Sequence, residues 1–262
     1  MAQKQHLIDE TARLTVDEIF DAAYASGQEE LERSSTALLF SGLIAGLTIG
    51  LSPLATAFAE SFLGQSSWAS FVGKLFYPIG FVTVIIGRSQ LFTENTLYPI
   101  AVVLKERGEI LNTLRLWAIV FLANIAGTLA FATLFVRTTA VKTGVIAAVV
   151  SMGAQASQGS IGHLFWSAVV AGWLMALIAW LVEASHWTTG QVAVVWILTL
   201  LLGLGDFTHC IVGSTEILTS VLQGSVPVMH YFWWLLWATM GNVIGGTVLV
   251  AVLNYGQLAQ RK

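Results

Sequence analysis

Apolar residues run along this chain in long blocks separated by short polar stretches, and block length decides what each block can be. Crossing ~30 Å of hydrocarbon takes about 20 apolar residues in a helix. Blocks near that length fall at 37–58, 71–90, 116–136, 164–182 and 233–254. A further block at 192–222 is interrupted by residues 203–216, which hold Asp206, His209, Glu216 and three glycines. Non-helical backbone at membrane depth survives only where protein or a cavity surrounds it. Ionisable groups at that depth read as functional. The alternative is a solvent loop over 203–216, but its flanks, 192–202 and 211–222, are each too short to span. The second block looks broken as well: it runs into Leu91-Phe92-Thr93-Glu94-Asn95-Thr96 before apolar residues resume at 97–104, and Arg88 and Glu94 lie inside it. The pattern predicts an all-α integral membrane protein with six transmembrane helices over 37–254, the second and fifth broken.

The flanking segments are polar. Residues 1–36 carry Asp9, Glu10, Asp17, Glu18, Asp21, Glu29, Glu30 and Glu32, and no cleavable signal peptide is read there. Thr15-Val16-Asp17-Glu18 reads as a capping box. It opens an amphipathic helix with Val16, Ile19, Phe20, Ala23 and Tyr24 on one face. This helix is expected to lie at the membrane surface in a packing role. Residues 255–262 form a tail.

Small residues predict how the spans meet. Gly42, Gly46 and Gly50 make a ridge on the first span that admits another helix closely, and Pro53 should kink or end that helix. Trp166, Trp173, Trp180 and Trp187 recur every seven residues, a stripe expected on the outside. Ala123-Asn124-Ile125-Ala126-Gly127 resembles Gly241-Asn242-Val243-Ile244-Gly245. Three spans per half, the middle one broken in each, is the pattern of two inverted three-helix repeats with a site between them. Lys4, Arg13, Arg33, Lys105, Arg107, Arg115, Arg261 and Lys262 outnumber Lys74, Arg137 and Lys142 on the other side. That bias places both termini in the cytoplasm.

Composition narrows the function classes. Of 262 residues 56% are hydrophobic and 10% charged, as a membrane protein requires. A net charge of −3 gives no basic surface for nucleic acid. Cys210 is the single cysteine, so no internal disulfide forms. No nucleophile–base pair, metal set or cofactor motif is read, so an enzyme is not expected.

Leu91-Phe92-Thr93-Glu94-Asn95, Phe207-x-His209-Cys210-Ile211 and Asn242-x-x-Gly245-Gly246 together resemble the formate/nitrite transporter family, in order, over about residues 15–255. The resemblance implies an aquaporin-like protomer of six spans, a pentamer with one pore per protomer, and a bacterial inner membrane location. The implied substrates are small monovalent anions such as formate, nitrite, acetate, lactate or hydrosulfide, often moved with a proton. It makes His209 the central pore histidine, flanked by Phe207 and Thr208. Leu91, Phe92 and Thr93 become the loop interrupting the second span, and Tyr77, Phe81 and Leu202 the pore constrictions. There are departures. Thr208 stands where the family has glutamate, and Gly172 where it has a pore-side asparagine. No lysine stands near Ala156, and Arg88 replaces a small residue.

An imidazole exchanges protons near neutral pH, and a bare anion is opposed by desolvation at an apolar constriction. His209 is therefore expected to pair the anion with a proton. A fixed cationic attractor and a core histidine held by a backbone carbonyl are the alternatives. An arginine at membrane depth costs about 2.5–3.5 kcal/mol to insert and is nearly always paired. Arg88 is expected to pair with Asp206, Glu216 or Glu94, or else to attract the anion itself. His163, Glu183 and His186 are expected near span ends, and His230 in a loop. An aquaporin-like pore for a neutral solute and a non-transporting scaffold are the competing functions.

Overall fold

The computed structural model describes residues 13–64 and 66–259. Lys4, Asp9, Glu10, Gln65, Arg261 and Lys262 lie outside the described residues. The described chain is helical throughout. Helix α1, Val16–Glu32, is opened by the expected capping box. Thr15 Oγ1 accepts from the Glu18 amide at 3.3 Å, and Glu18 Oε2 accepts from the Thr15 amide at 2.7 Å. These bonds to its charged form hold the exposed Glu18 carboxyl below the usual range. The apolar face of α1 (Ile19, Phe20, Ala23, Gly27 and Leu31) is buried on protein. A Cβ on Gly27 would fall on the Tyr98 carbonyl. Through this face α1 is docked to the bundle.

The first long run, Ser35–Leu63, consists of α2 (Ser35–Ile49) and α3 (Leu51–Leu63). The bend sits at Gly50, three residues before Pro53. A proline in the first turn of α3 has no N–H to offer the Ile49 carbonyl, so the helix breaks there and restarts. The next run, Ala69–Ile86, is α4 (Ala69–Phe76) and α5 (Pro78–Ile86), jointed at Tyr77. After a non-helical stretch and a 3₁₀ turn at Glu94–Thr96 comes α6, Tyr98–Glu106. Helix α7, Ile110–Arg137, completes the first half.

The second half opens with α8, Thr143–Ala156, a 14-residue helix that the sequence reading passed over. Then come α9 (Ile161–Glu183), α10 (Thr188–Leu204), α11 (Cys210–Leu222) and α12 (Val228–Gly246). The last run continues through a π-helical turn, Thr247–Val252, into α13, Leu253–Ala259. Five of these helical runs are long and apolar enough to cross a membrane; α10 and α11 alone are not.

The most extensive helix pairs are α2 with α7 and α9 with α12, and glycines set both. A Cβ on Gly46 would collide with Asn124 backbone, and one on Gly127 with the backbone of Leu43 and Leu47. Gly245 meets Val169 and Trp173 backbone in the same way, and Gly241 meets Ala168 and Phe165. Lipid gives helices no hydrophobic reason to associate, so close backbone approach supplies the attraction. The outer face is correspondingly apolar, with Phe40 62% and Leu122 66% exposed. Of the tryptophan stripe, Trp166, Trp173 and Trp187 lie on that outer face. Trp180 does not: it is buried among Leu97, Ala101, Ala176 and Val250. The seven-residue repeat drifts around a straight helix, and the segment after the first break packs over the end of α9.

Candidate functional site

Two helix ends create the site. Helix α5 closes with Arg88 N–H donating to the Ile85 carbonyl and Ser89 N–H to the Val84 carbonyl. Helix α10 closes the same way, Asp206 N–H to Gly203 and Phe207 N–H to Leu202. This double bond is a Schellman end, which needs a left-handed residue at its turn. That residue is usually glycine. Here it is Arg88, at φ 55°, and Asp206, at φ 49°. The two charges hold equivalent places at different helix ends and do not meet. The expected pairing of Arg88 with Asp206, Glu216 or Glu94 is thereby corrected. Arg88 is exposed and makes no ion pair among the described residues, whereas Asp206 Oδ2 pairs with Lys74 Nζ at 2.6 Å.

Two asparagines hold the backbone beyond these ends. Asn124 accepts from the Phe92 amide at 2.8 Å and donates to the carbonyls of Gly42 and Gln90, both at 2.9 Å. Asn242 accepts from the Cys210 amide at 2.8 Å and donates to Ala168 at 2.7 Å and Thr208 at 2.9 Å. Each asparagine satisfies a buried chain that has no helical partner of its own. Two serines repeat the correspondence: Ser41 Oγ accepts from the Gln90 amide, and Ser167 Oγ accepts from the Thr208 amide.

Between the two stapled segments, Thr93 Oγ1 and His209 Nε2 lie 2.8 Å apart. His209 is the N-cap of α11, its Nδ1 accepting from the amides of Ile211 at 3.3 Å and Val212 at 3.2 Å. An Nδ1 that accepts carries no hydrogen, so these bonds specify the neutral imidazole with its proton on Nε2. The positive end of α11 acts in the same sense. A fixed cationic His209 does not fit this geometry. Phe81 closes on the ring edge-on, 5.3 Å between centroids, and Tyr77 lies 5.6 Å beyond it.

A cavity of about 560 Å³ opens above His209. Of the expected pathway residues, Tyr77, Leu202, Phe207, Thr208 and His209 line it, together with Asp206 and Glu216. Leu91, Phe92, Thr93 and Phe81 are buried outside its lining. Phe92 packs edge-on to Trp117 and Phe121 of α7. Glu94 is buried in the 3₁₀ turn and lines no part of the cavity. Gly172 does not line it either. A Cβ there would collide with the Asn242 carbonyl, as one on Gly46 would with that of Asn124. Gly172 is therefore a packing glycine outside this cavity's lining.

The sequence reading missed Lys74 and Glu60, which line the cavity, and α8, whose Ser151 and Gln155 form one wall. It saw the two asparagines as a repeat without seeing what they hold. A lone asparagine in each of two apolar helices was the available signal. Ser26 donates to Glu183 at 2.9 Å, and the His230 ring lies 2.7 Å from the Ser157 carbonyl.

The formate/nitrite transporter family model matches residues 17–256. The chain belongs to the formate/nitrite transporter family. The inner membrane protein YfdC of Escherichia coli is 34% identical over 235 residues, spanning 88% of this chain and 75% of that protein. The formate channel FocA of Haemophilus influenzae is 24% identical, spanning 97% and 98%. Among solved structures, an ion channel of this family superposes with a TM-score of 0.82 at 20% identity, covering 93% of this chain and 99% of that one. A pentameric formate channel superposes at 0.73 with 16% identity, covering 87% and 98%. The chain thus has the all-α membrane channel fold of the formate/nitrite transporter family.

Proposed function

We propose that this protein moves a small monovalent anion of the formate or nitrite kind across a membrane together with a proton, at the Thr93–His209 pair. The observation that carries this reading is the 2.8 Å contact between the two broken segments at the floor of the cavity. Moving a bare anion past Phe81, Tyr77 and Leu202 is opposed by desolvation, and an anion paired with a proton escapes most of that cost. The pair hands on a proton only if it gains one from one side before losing one to the other, because the resting imidazole is neutral. Family membership supports transport rather than catalysis.

The finer architecture belongs to the same reading. Helices α10 and α11 together make a sixth crossing, and the matched staples support two inverted three-helix repeats. The likeness to a pentameric channel supports a pentamer. The E. coli relative, named an inner membrane protein, supports that location, and the basic bias places both termini in the cytoplasm. Purified protein in proteoliposomes tests the function. Labelled formate or nitrite should enter faster than in empty vesicles, with alkalinisation outside as protons follow. Uptake no faster than in empty vesicles across a panel of small acids would remove the reading.

A further inference from the structure

Among the described residues, Lys74 is the only lysine or arginine lining the cavity above His209, and it is not free to act on an anion. Asp206 Oδ2 holds its Nζ at 2.6 Å. The Schellman end of α10 places Asp206 in the left-handed region, φ 49°, which aspartate tolerates less readily than glycine. Glycine would fit this turn more readily, but it would leave Lys74 unpaired. Two further carboxyls line the same cavity from separate helices, Glu60 on α3 and Glu216 on α11. Neither makes an ion pair among the described residues. In either protonation state these carboxyls add no positive charge; the exposed His163 imidazole at the start of α9 also lines the cavity, and it adds one only when protonated. A cleft focuses the field of its lining on whatever approaches, and the field at this mouth does not draw anions in.

We propose that Asp206 is a specificity-determining residue: by cancelling Lys74 it makes this vestibule admit the undissociated acid in preference to its anion. This rests on the transport reading above and names the species that enters on this side. An acid that arrives carrying its own proton also suits a neutral His209, whose Nε2–H can pass from Thr93 Oγ1 to an acid oxygen without the ring first being charged.

The charge of the mouth is measurable without transport. Ser151, exposed on α8 and lining the cavity, is changed to cysteine; native Cys210 is fully buried, and the parent protein serves as its control. Reaction rates are read with a trimethylammonium and a sulfonate methanethiosulfonate, each normalised to a free thiol. The cationic reagent should react faster. Asp206→Asn, which keeps a side chain that tolerates the left-handed turn, should shift the ratio toward the sulfonate by about tenfold. Adding Lys74→Gln should restore the parental ratio, and Lys74→Gln alone should shift it the other way. This last variant keeps the test intact if Asp206→Asn folds poorly. A sulfonate already favoured in the parent, or a ratio indifferent to both substitutions, overturns the charge assignment. In proteoliposomes the half-saturating formate concentration should not vary with ionic strength for the parent, since a neutral species is not screened. For Asp206→Asn it should fall several-fold at low salt. A salt-dependent parent overturns the acid-entry claim. If the reagent ratios shift as expected but no acid is taken up, the transport reading fails while the cancelled Lys74 stands.

Discussion

Three side chains carry the site. His209 turns Nδ1 to the first amides of α11 and Nε2 to Thr93, so both ring nitrogens are committed. Asparagine at 209 keeps an N-cap acceptor but has no exchangeable ring proton. His209→Asn should therefore fold, and its residual uptake should lose its pH response between about 5 and 8. Unchanged pH-dependent uptake in this variant would sink the relay. Asn124 and Asn242 each satisfy one buried amide and two buried carbonyls. Alanine at either place strands all three, at a cost of at least about 2–3 kcal/mol. A thermal-unfolding assay in detergent should show both variants strongly destabilised, and by similar amounts if the two halves are equivalent. Asp206, His209 and Glu216 were legible because a charged or titratable group is unusual in an apolar block. Lys74 and Glu60 were missed because each looks like an ordinary charge at a span end.

At the scale of elements, glycines and helix ends decide the arrangement. Gly172→Ala places a methyl against the Asn242 carbonyl, and overpacking of that kind costs about 1–3 kcal/mol. It should lower the unfolding temperature, as should Gly46→Ala. A Gly172→Ala protein of parental stability would remove the packing role. The capping box gives α1 a pH dependence of definite sign. The Thr15 hydrogen bonds lower the Glu18 carboxyl from its ordinary value, so the stabilisation is fully present above that value and is lost as pH falls through the lowered one. Protection of the first-turn amides of α1 against exchange, relative to their intrinsic rates, should fall as the pH drops below the ordinary carboxylate range, and Glu18→Gln should show less protection at neutral pH already. Equal protection in the two proteins at neutral pH would remove the cap's role.

For the whole molecule, Arg88 is the informative charge. It is exposed on the single chain at a helix end expected within the membrane, and an arginine at such depth needs a partner. In a pentamer the neighbouring protomer is the available source. Arg88→Leu should leave the protomer folded, because Arg88 makes no ion pair among the described residues, but should shift the detergent-solubilised particle from the proposed pentamer toward smaller species. Particle mass by light scattering reads both outcomes. A stable pentamer with Arg88→Leu would assign Arg88 another role. The exposed Trp166 and Trp173 lie on the surface left for lipid or a neighbour, whereas Trp180 is spent inside the protomer.

What the sequence determined by itself was whatever depends on local composition. Apolar block length fixed the membrane-crossing runs, the capping box fixed the start of α1, and glycine spacing fixed which helices approach closely. Each of these follows from neighbours along the chain. The interruption at 203–216 was legible as a break, but its true extent was not. Cys210–Leu222 is helical, because His209 caps its first turn locally and Asn242 holds its first amide, a bond that forms only once the last run packs behind α9. The partner of Asp206 was likewise undecidable from sequence. Arg88 and Lys74 both offered a positive charge, and only the packing of α4 beside the end of α10 brings Lys74 within 2.6 Å. Charge pairing and cavity lining depend on contacts between distant segments, and those exist only in the folded chain.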